Sequence, residues 1–202
     1  MNTKTRRLAI RTEHTPRPMI RHLELLIHER GGAWNLPTFE KSTFLQNQKK
    51  ASLIIANSIA TKELLVQKFG LDENKINVIY NGVEQPKLSP RNSKLNNNKF
   101  TIGYIGRFDT NKCVHVLIEA VKKINNVELL IAGWGPLEST LKELSIGCHR
   151  IKFLGTFNDP YRFHAKLDLL VVPSIREPLG NVIIEAGFMQ ICLLYTSDAA
   201  DE

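Results

Sequence analysis

From Phe100 onward, short apolar runs alternate with amphipathic ones, and that alternation leaves few architectures open. Phe100 to Ile105, Val127 to Ala132, Ile151 to Leu154 and Asp168 to Val172 read as buried strands. Between them, Val114 to Ile124, Leu137 to Leu144 and a short segment near Tyr161 to Lys166 read as helices, and another helix starts at about Gly180. Strands that alternate strictly with helices predict an α/β unit, a parallel sheet wrapped by helices.

The first half is patterned less evenly. Leu8 to Thr15 reads as a strand that stops at Pro16 and delivers His14 to a loop at its carboxyl end. Met19 to Arg30 reads as a helix with Ile20, Leu23 and Ile27 on its apolar face, ended by Gly31-Gly32. Phe39 to Lys50 is partly helical, and Ser52 to Ala56 is a short buried strand. Asn57-Ser58 starts a helix that runs to about Phe69 and closes at Gly70; Ile76 to Tyr80 is a strand ended by the turn Asn81-Gly82. Composition then turns polar, with Pro86, Pro90 and the run Asn96-Asn97-Asn98, so a linker is expected at 86–99. It separates a first domain, 1–85, from a second, 100–190.

Charge narrows the class further. The net charge of +7 over 202 residues is concentrated at the start, where residues 1–50 hold ten Lys/Arg against four Asp/Glu. Such a region suits an acidic partner: anionic lipid headgroups, a phosphorylated acceptor or nucleic acid. Single-stranded nucleic acid also calls for aromatic side chains among the basic ones, and residues 1–50 offer only Trp34, Phe39 and Phe44, which disfavours it. Cys113, Cys148 and Cys192 are scattered without metal-ligand spacing, which points to a reducing, cytoplasmic setting. No apolar run reaches the length of a membrane span.

Chemistry concentrates in two strand-to-helix passages. The later one, Pro173-Ser174-Ile175-Arg176-Glu177-Pro178-Leu179-Gly180-Asn181, follows an apolar strand and opens the last helix, which carries Glu185. Amides at a helix start after a sheet strand face the crevice where α/β folds bind anions. Glu177 and Glu185 are eight residues apart, a span of about 12 Å if helical throughout. Carboxylates so spaced suit the two hydroxyl-rich ends of a nucleotide sugar, with helix amides on its anionic middle. Either acid alone reads rather as a solvated helix residue, and it is the Pro-Ser and Pro-Leu-Gly frame around them that favours a donor site. In the earlier passage, Ile102 to Gly106 runs into a glycine turn followed by Arg107 and Lys112. Fixed cations at a strand end stabilise the negative charge that builds on a departing diphosphate.

Pro-Ser, then Glu-Pro-x-Gly, then Glu-Ala resembles the signature of the retaining family 4 glycosyltransferases of the GT-B fold. Gly106-Arg107 with Lys112, Gly133-Trp134-Gly135, Phe153-Leu154-Gly155, Ala51 to Ser58 and Ile76 to Gly82 resemble further elements of that family. The resemblance implies two Rossmann-like parallel-sheet domains, both incomplete here, the first binding an acceptor and the second a nucleotide-sugar donor. It implies that Gly106, Arg107 and Lys112 hold the diphosphate, Glu177 the donor sugar and Glu185 the ribose. Leu179, Gly180 and Asn181 then hold phosphate or sugar through backbone N–H groups, and His14 faces the donor sugar. The family has glycine where Cys113 stands, so the shape of that loop is open. The implied activity is transfer of a sugar from a nucleoside diphosphate, with retention, to a lipid-linked or polysaccharide-precursor acceptor at the inner membrane face. No cofactor is expected. No metal is expected either, since no Asp-x-Asp and no ligand cluster occurs. A sugar-nucleotide epimerase of the same fold, or a basic nucleic-acid-binding protein, are the competing readings. Residues from Cys192 look like an in-frame translation of a sequencing-library adapter, and 191–202 is expected to be a non-native tail outside the fold.

Overall fold

The computed structural model describes residues 26–29, 45, 49–87, 99–175, 177 and 180–195. His14 with its expected strand, Leu179, and most of the polar stretch at 86–99 lie outside the described residues. The chain divides into two units, residues 1–81 with Glu202, and 82–201. The division falls just ahead of the polar stretch because the Tyr161 hydroxyl donates to the Glu84 carbonyl, which ties that segment to the second unit.

In the first unit, β1 (Leu26–Glu29), β2 (Leu53–Ala56) and β3 (Ile76–Val78) form a parallel sheet in that order. Helix α1 (Ile59–Phe69) connects β2 to β3. Its start is set by Ser58, whose Oγ accepts from the Thr61 amide at 3.0 Å, and its end by Gly70 at φ 62°, a left-handed cap suited to glycine. Ile54, Ala56, Leu65, Phe69, Leu71 and Ile76 bury together between helix and sheet. The expected helix over Met19 to Arg30 is corrected at its C-terminal end: Leu26–Glu29 is a strand in register with Leu53–Ala56. A short apolar run such as Leu25-Leu26-Ile27 satisfies either period, and the neighbouring strand's unpaired N–H and C=O groups decide it.

In the second unit, the strands are β4 (Phe100–Arg107), β5 (Val127–Trp134), β6 (Ile151–Phe153), β7 (Leu169–Val172) and β8 (Cys192–Tyr195). They lie in the order β6-β5-β4-β7-β8, all parallel. The crossovers are α2 (Val114–Lys122), α3 (Glu138–Leu144), α4 (Pro160–His164) and α5 (Asn181–Phe188). Alternate residues feed two cores, one on each face, as a period of two requires. Leu129 and Ile131 of β5 pack with Ile118 of α2 and Leu141 of α3; Leu130 and Ala132 pack on the other face with Phe163 of α4 and Ala186 of α5. Each fully buried aliphatic side chain contributes about 1.5–3 kcal/mol, so both helix layers are firmly held.

Three sequence expectations are corrected here. Strands β4 and β5 run two residues past Ile105 and Ala132, because Gly106 pairs with Gly133 and Arg107 with Trp134. Glycines that look like breakers instead allow close approach: Gly133 sits at φ 135°, and a Cβ there would lie 1.8 Å from the Gly106 carbonyl oxygen. Glu177 precedes the helix that carries Glu185, so the through-helix spacing of the two acids does not apply. Cys192–Tyr195, expected to lie outside the fold, pairs in parallel with Leu169–Val172, and Leu193 and Tyr195 pack against the α4–α5 face.

Candidate functional site

Strand order places the site. From β4 the chain moves outward through β5 to β6, then returns to the other side of β4 as β7 and continues to β8. The loops leaving the carboxyl ends of β4 and β7 therefore diverge, which opens a crevice at the topological switch point of the sheet. Arg107 ends β4 and the loop after it carries Lys112; the β7 loop carries Ser174 and Glu177 and ends at the start of α5.

The β4 loop is built locally. Asp109 caps a single 3-10 turn, Thr110–Lys112, its Oδ1 accepting from the Lys112 amide at 3.2 Å. Cys113 follows at φ 48°, ψ 33°. A cysteine thus takes the left-handed shape that glycine adopts more readily. Inside the sheet, the buried Tyr104 hydroxyl donates to the Arg107 carbonyl at 2.8 Å. Burial pushes that phenol far above its ordinary pKa, and the Asp109 and Glu177 carboxylates push it in the same direction. Tyr104 is therefore a neutral donor that fixes the backbone bearing Arg107.

The two loops are tied across the crevice. The Ile175 amide donates to the Asn111 carbonyl at 2.9 Å. Lys112 Nζ forms an ion pair with Glu177 Oε2, with side-chain exposures of 23% and 10%. The buried Ser174 hydroxyl donates to the same carboxylate oxygen at 2.9 Å. Gly180 makes room for this carboxylate: a Cβ there would stand 3.1 Å from Glu177 Oε1. Gly180 is also the N-cap of α5 and supplies no side-chain cap, while Asn181 is the first helical residue.

Arg107 and Glu185 do not join that pair. The Arg107 side chain is half-exposed, lies over the Trp134 ring with 5.3 Å to its centroid, and holds Nε 3.8 Å from Asp109 Oδ2. An exposed ion pair of that length contributes little, and the aromatic face orients the guanidinium more effectively. Glu185 lies further along α5 and meets His164 Nε2 at 3.3 Å. Ser174, Trp134 and His164 were not assigned roles from sequence. Ser174 was visible in the Pro-Ser pair; Trp134 and His164 act through contacts between elements, for which no local pattern exists. Among the described residues, no three His, Cys, Asp or Glu side chains gather in a way that would hold a metal ion.

Comparison with known proteins agrees with this layout. The family described as glycosyl transferases group 1 matches residues 99–202, and glycosyltransferase family 4 matches residues 2–85. The capsular polysaccharide biosynthesis glycosyltransferase CapM of Staphylococcus aureus is 31% identical over 166 residues, 73% of this chain and 44% of CapM. An N-acetylgalactosaminyltransferase of Campylobacter jejuni, named for an N-acetylgalactosamine-N,N'-diacetylbacillosaminyl-diphospho-undecaprenol substrate, is 31% identical over 144 residues, 68% of this chain and 39% of that enzyme. The crystal structure of Anabaena HepE in complex with UDP and glucose superposes with a TM-score of 0.76 at 25% identity, covering 88% of this chain and 54% of HepE. The chain thus spans roughly half or less of the length of these proteins. With a family match over more than half its residues and a parallel sheet that reverses its strand order between β4 and β7, this chain belongs to the group 1, family 4 glycosyltransferases of the GT-B fold.

Proposed function

We propose that the second unit is the donor site of an enzyme that moves a sugar from a nucleoside diphosphate to an acceptor with retention of configuration. The observation that carries this reading is the Lys112–Glu177 pair at the β4–β7 switch point. One crevice presents a cation suited to a diphosphate beside a carboxylate suited to sugar hydroxyls. Lys112 and Arg107 take the phosphates and stabilise the charge of the departing diphosphate in place of a metal ion. Glu177 accepts from the sugar hydroxyls, Glu185 from the ribose, and the amides of Gly180, Asn181 and the preceding Leu179 meet the phosphate or sugar. Departure and attack then occur on one face of the sugar.

The donor nucleoside is read as uridine because HepE binds UDP. The acceptor is read as a lipid-linked or polysaccharide precursor at the inner membrane face. The names of the S. aureus and C. jejuni relatives support this, and so does the excess of Lys and Arg in residues 1–50. The test is a thermal-shift panel of UDP-, GDP- and ADP-sugars with and without EDTA, followed by NMR of the anomeric configuration of the product. Stabilisation by one nucleotide sugar, unaffected by EDTA, and an α-linked product from an α-linked donor are expected. An inverted product would overturn retention, and product formation without any acceptor would favour an epimerase.

A further inference from the structure

We infer that His164 is a positioning residue for nucleotide recognition, holding the Glu185 carboxylate so that its remaining acceptor sites meet a ribose diol. The inference rests on the assignment of Glu185 to the ribose. His164 ends α4 and is fully buried, at 0% exposure. Its ring lies beside Phe163 and Tyr161, with centroids 6.1 and 6.5 Å away. Nε2 is 3.3 Å from Glu185 Oε2, whereas Nδ1 is buried without a hydrogen-bond partner. An aromatic hydrocarbon would fill this place without the desolvation cost of an orphaned ring nitrogen. Packing therefore does not explain the imidazole; the bond to Glu185 does.

The chemistry of that bond is directional. An ionised carboxylate only accepts, which assigns the proton to Nε2. One of the four or so lone-pair positions of Glu185 is then taken, and the rest remain for hydroxyl donors. The Glu185 side chain is 13% exposed, so a ligand reaches one part of it while His164 holds the other. A glutamate has three side-chain torsions, and freezing them on binding weakens affinity unless the fold has already done so. His164 does this from a second helix, so the carboxylate orientation is set by α4 as well as by α5.

The test uses the full chain and calorimetric titration with UDP, 2′-deoxy-UDP and 3′-deoxy-UDP, repeated with the guanine and adenine sets. The wild type is expected to prefer the ribonucleotide of one base over both of its deoxy forms. His164→Phe should lower affinity for that ribonucleotide on the order of tenfold while leaving the deoxy forms nearly unchanged. His164→Gln, which returns an N–H donor, should recover part of the preference. Equal weakening towards all three forms, or full preference retained in a folded His164→Phe variant, would overturn the inference. If the phenylalanine variant does not fold, wild-type protein with 15N-labelled histidine decides. The His164 Nε2 resonance should move with the ribonucleotide and much less with the deoxy forms, and an identical response to all of them overturns the role. Ribose preference that survives Glu185→Gln would instead remove the ribose assignment itself. Failure of the wild type to bind any of the nucleotides would remove the donor site and this inference with it.

Discussion

Glu177 shares a carboxylate oxygen with Lys112 and Ser174 on the loop after β7, whereas Glu185, eight residues on, meets the buried ring of His164 from within α5. The partner of Glu177 is a cation that a diphosphate also seeks. On the proposed donor role of this site, binding competes with an existing ion pair, and Glu177 is released towards the sugar as Lys112 turns to phosphate. The partner of Glu185 is an uncompetitive one: no phosphate reaches a fully buried ring. On that proposal one acid exchanges its partner on binding and the other keeps it, although both belong to the same strand–loop–helix passage.

The largest expected effect comes from removing the cation. Lys112→Ala takes away the proposed diphosphate ligand and leaves Glu177, 10% exposed, without its ammonium. Turnover should fall by about 10²–10³-fold, and nucleoside diphosphate affinity should fall as well, both read by steady-state kinetics and calorimetry. Retained affinity would break the comparison at its first half.

Glu177→Gln sharpens it, because the two readouts should move in opposite directions. Transfer should drop on the order of a hundredfold as sugar hydroxyls lose an ionised acceptor. Affinity for the nucleoside diphosphate alone should rise by about three- to tenfold, since Lys112 is no longer neutralised and one repelling charge is gone. Glu185→Gln should instead weaken nucleoside diphosphate and nucleotide sugar together.

Tyr104 supports the cation side from beneath, and its effect is smaller. The phenol is held far above its ordinary value by burial, so it is neutral in the fold. Its stabilising contribution is complete below the unfolded value of roughly 10 and is lost as pH rises beyond it. Tyr104→Phe removes the bond to the Arg107 carbonyl, should cost about 1 kcal/mol at neutral pH, and should flatten the alkaline limb of a stability-versus-pH curve. An unchanged alkaline limb would show that other groups set it.

The smallest effect is expected at Cys113. Cys113→Gly relieves the left-handed conformation but deletes a buried side chain, so stability should stay within about 1 kcal/mol of wild type. Cys113→Val places a branched side chain at φ 48° and should cost about 1–3 kcal/mol. Paired thermal melts check both, and a valine variant as stable as wild type would show that the turn relaxes.

Amino-acid order alone determined what depends on neighbours along the chain. Ser58 and Gly70 bound α1 because capping chemistry acts over one turn, and the apolar runs of β4, β5 and β7 declare burial on both faces wherever their partners lie. Arg107, Lys112, Glu177 and Glu185 were legible as charged groups beside strand ends. Tertiary structure alone decided which of them meet. Lys112 and Glu177 are 65 residues apart and touch because the sheet reverses its order between β4 and β7. His164 reaches Glu185 because α4 and α5 share one face of that sheet. Leu26–Glu29 becomes a strand because β2 offers its edge, and Cys113 takes a glycine-like conformation at the junction between the 3-10 turn and α2. Periodicity and caps record forces that act within a turn or two, whereas pairing and charge contacts depend on loop closure and packing across the fold, which no local stretch encodes.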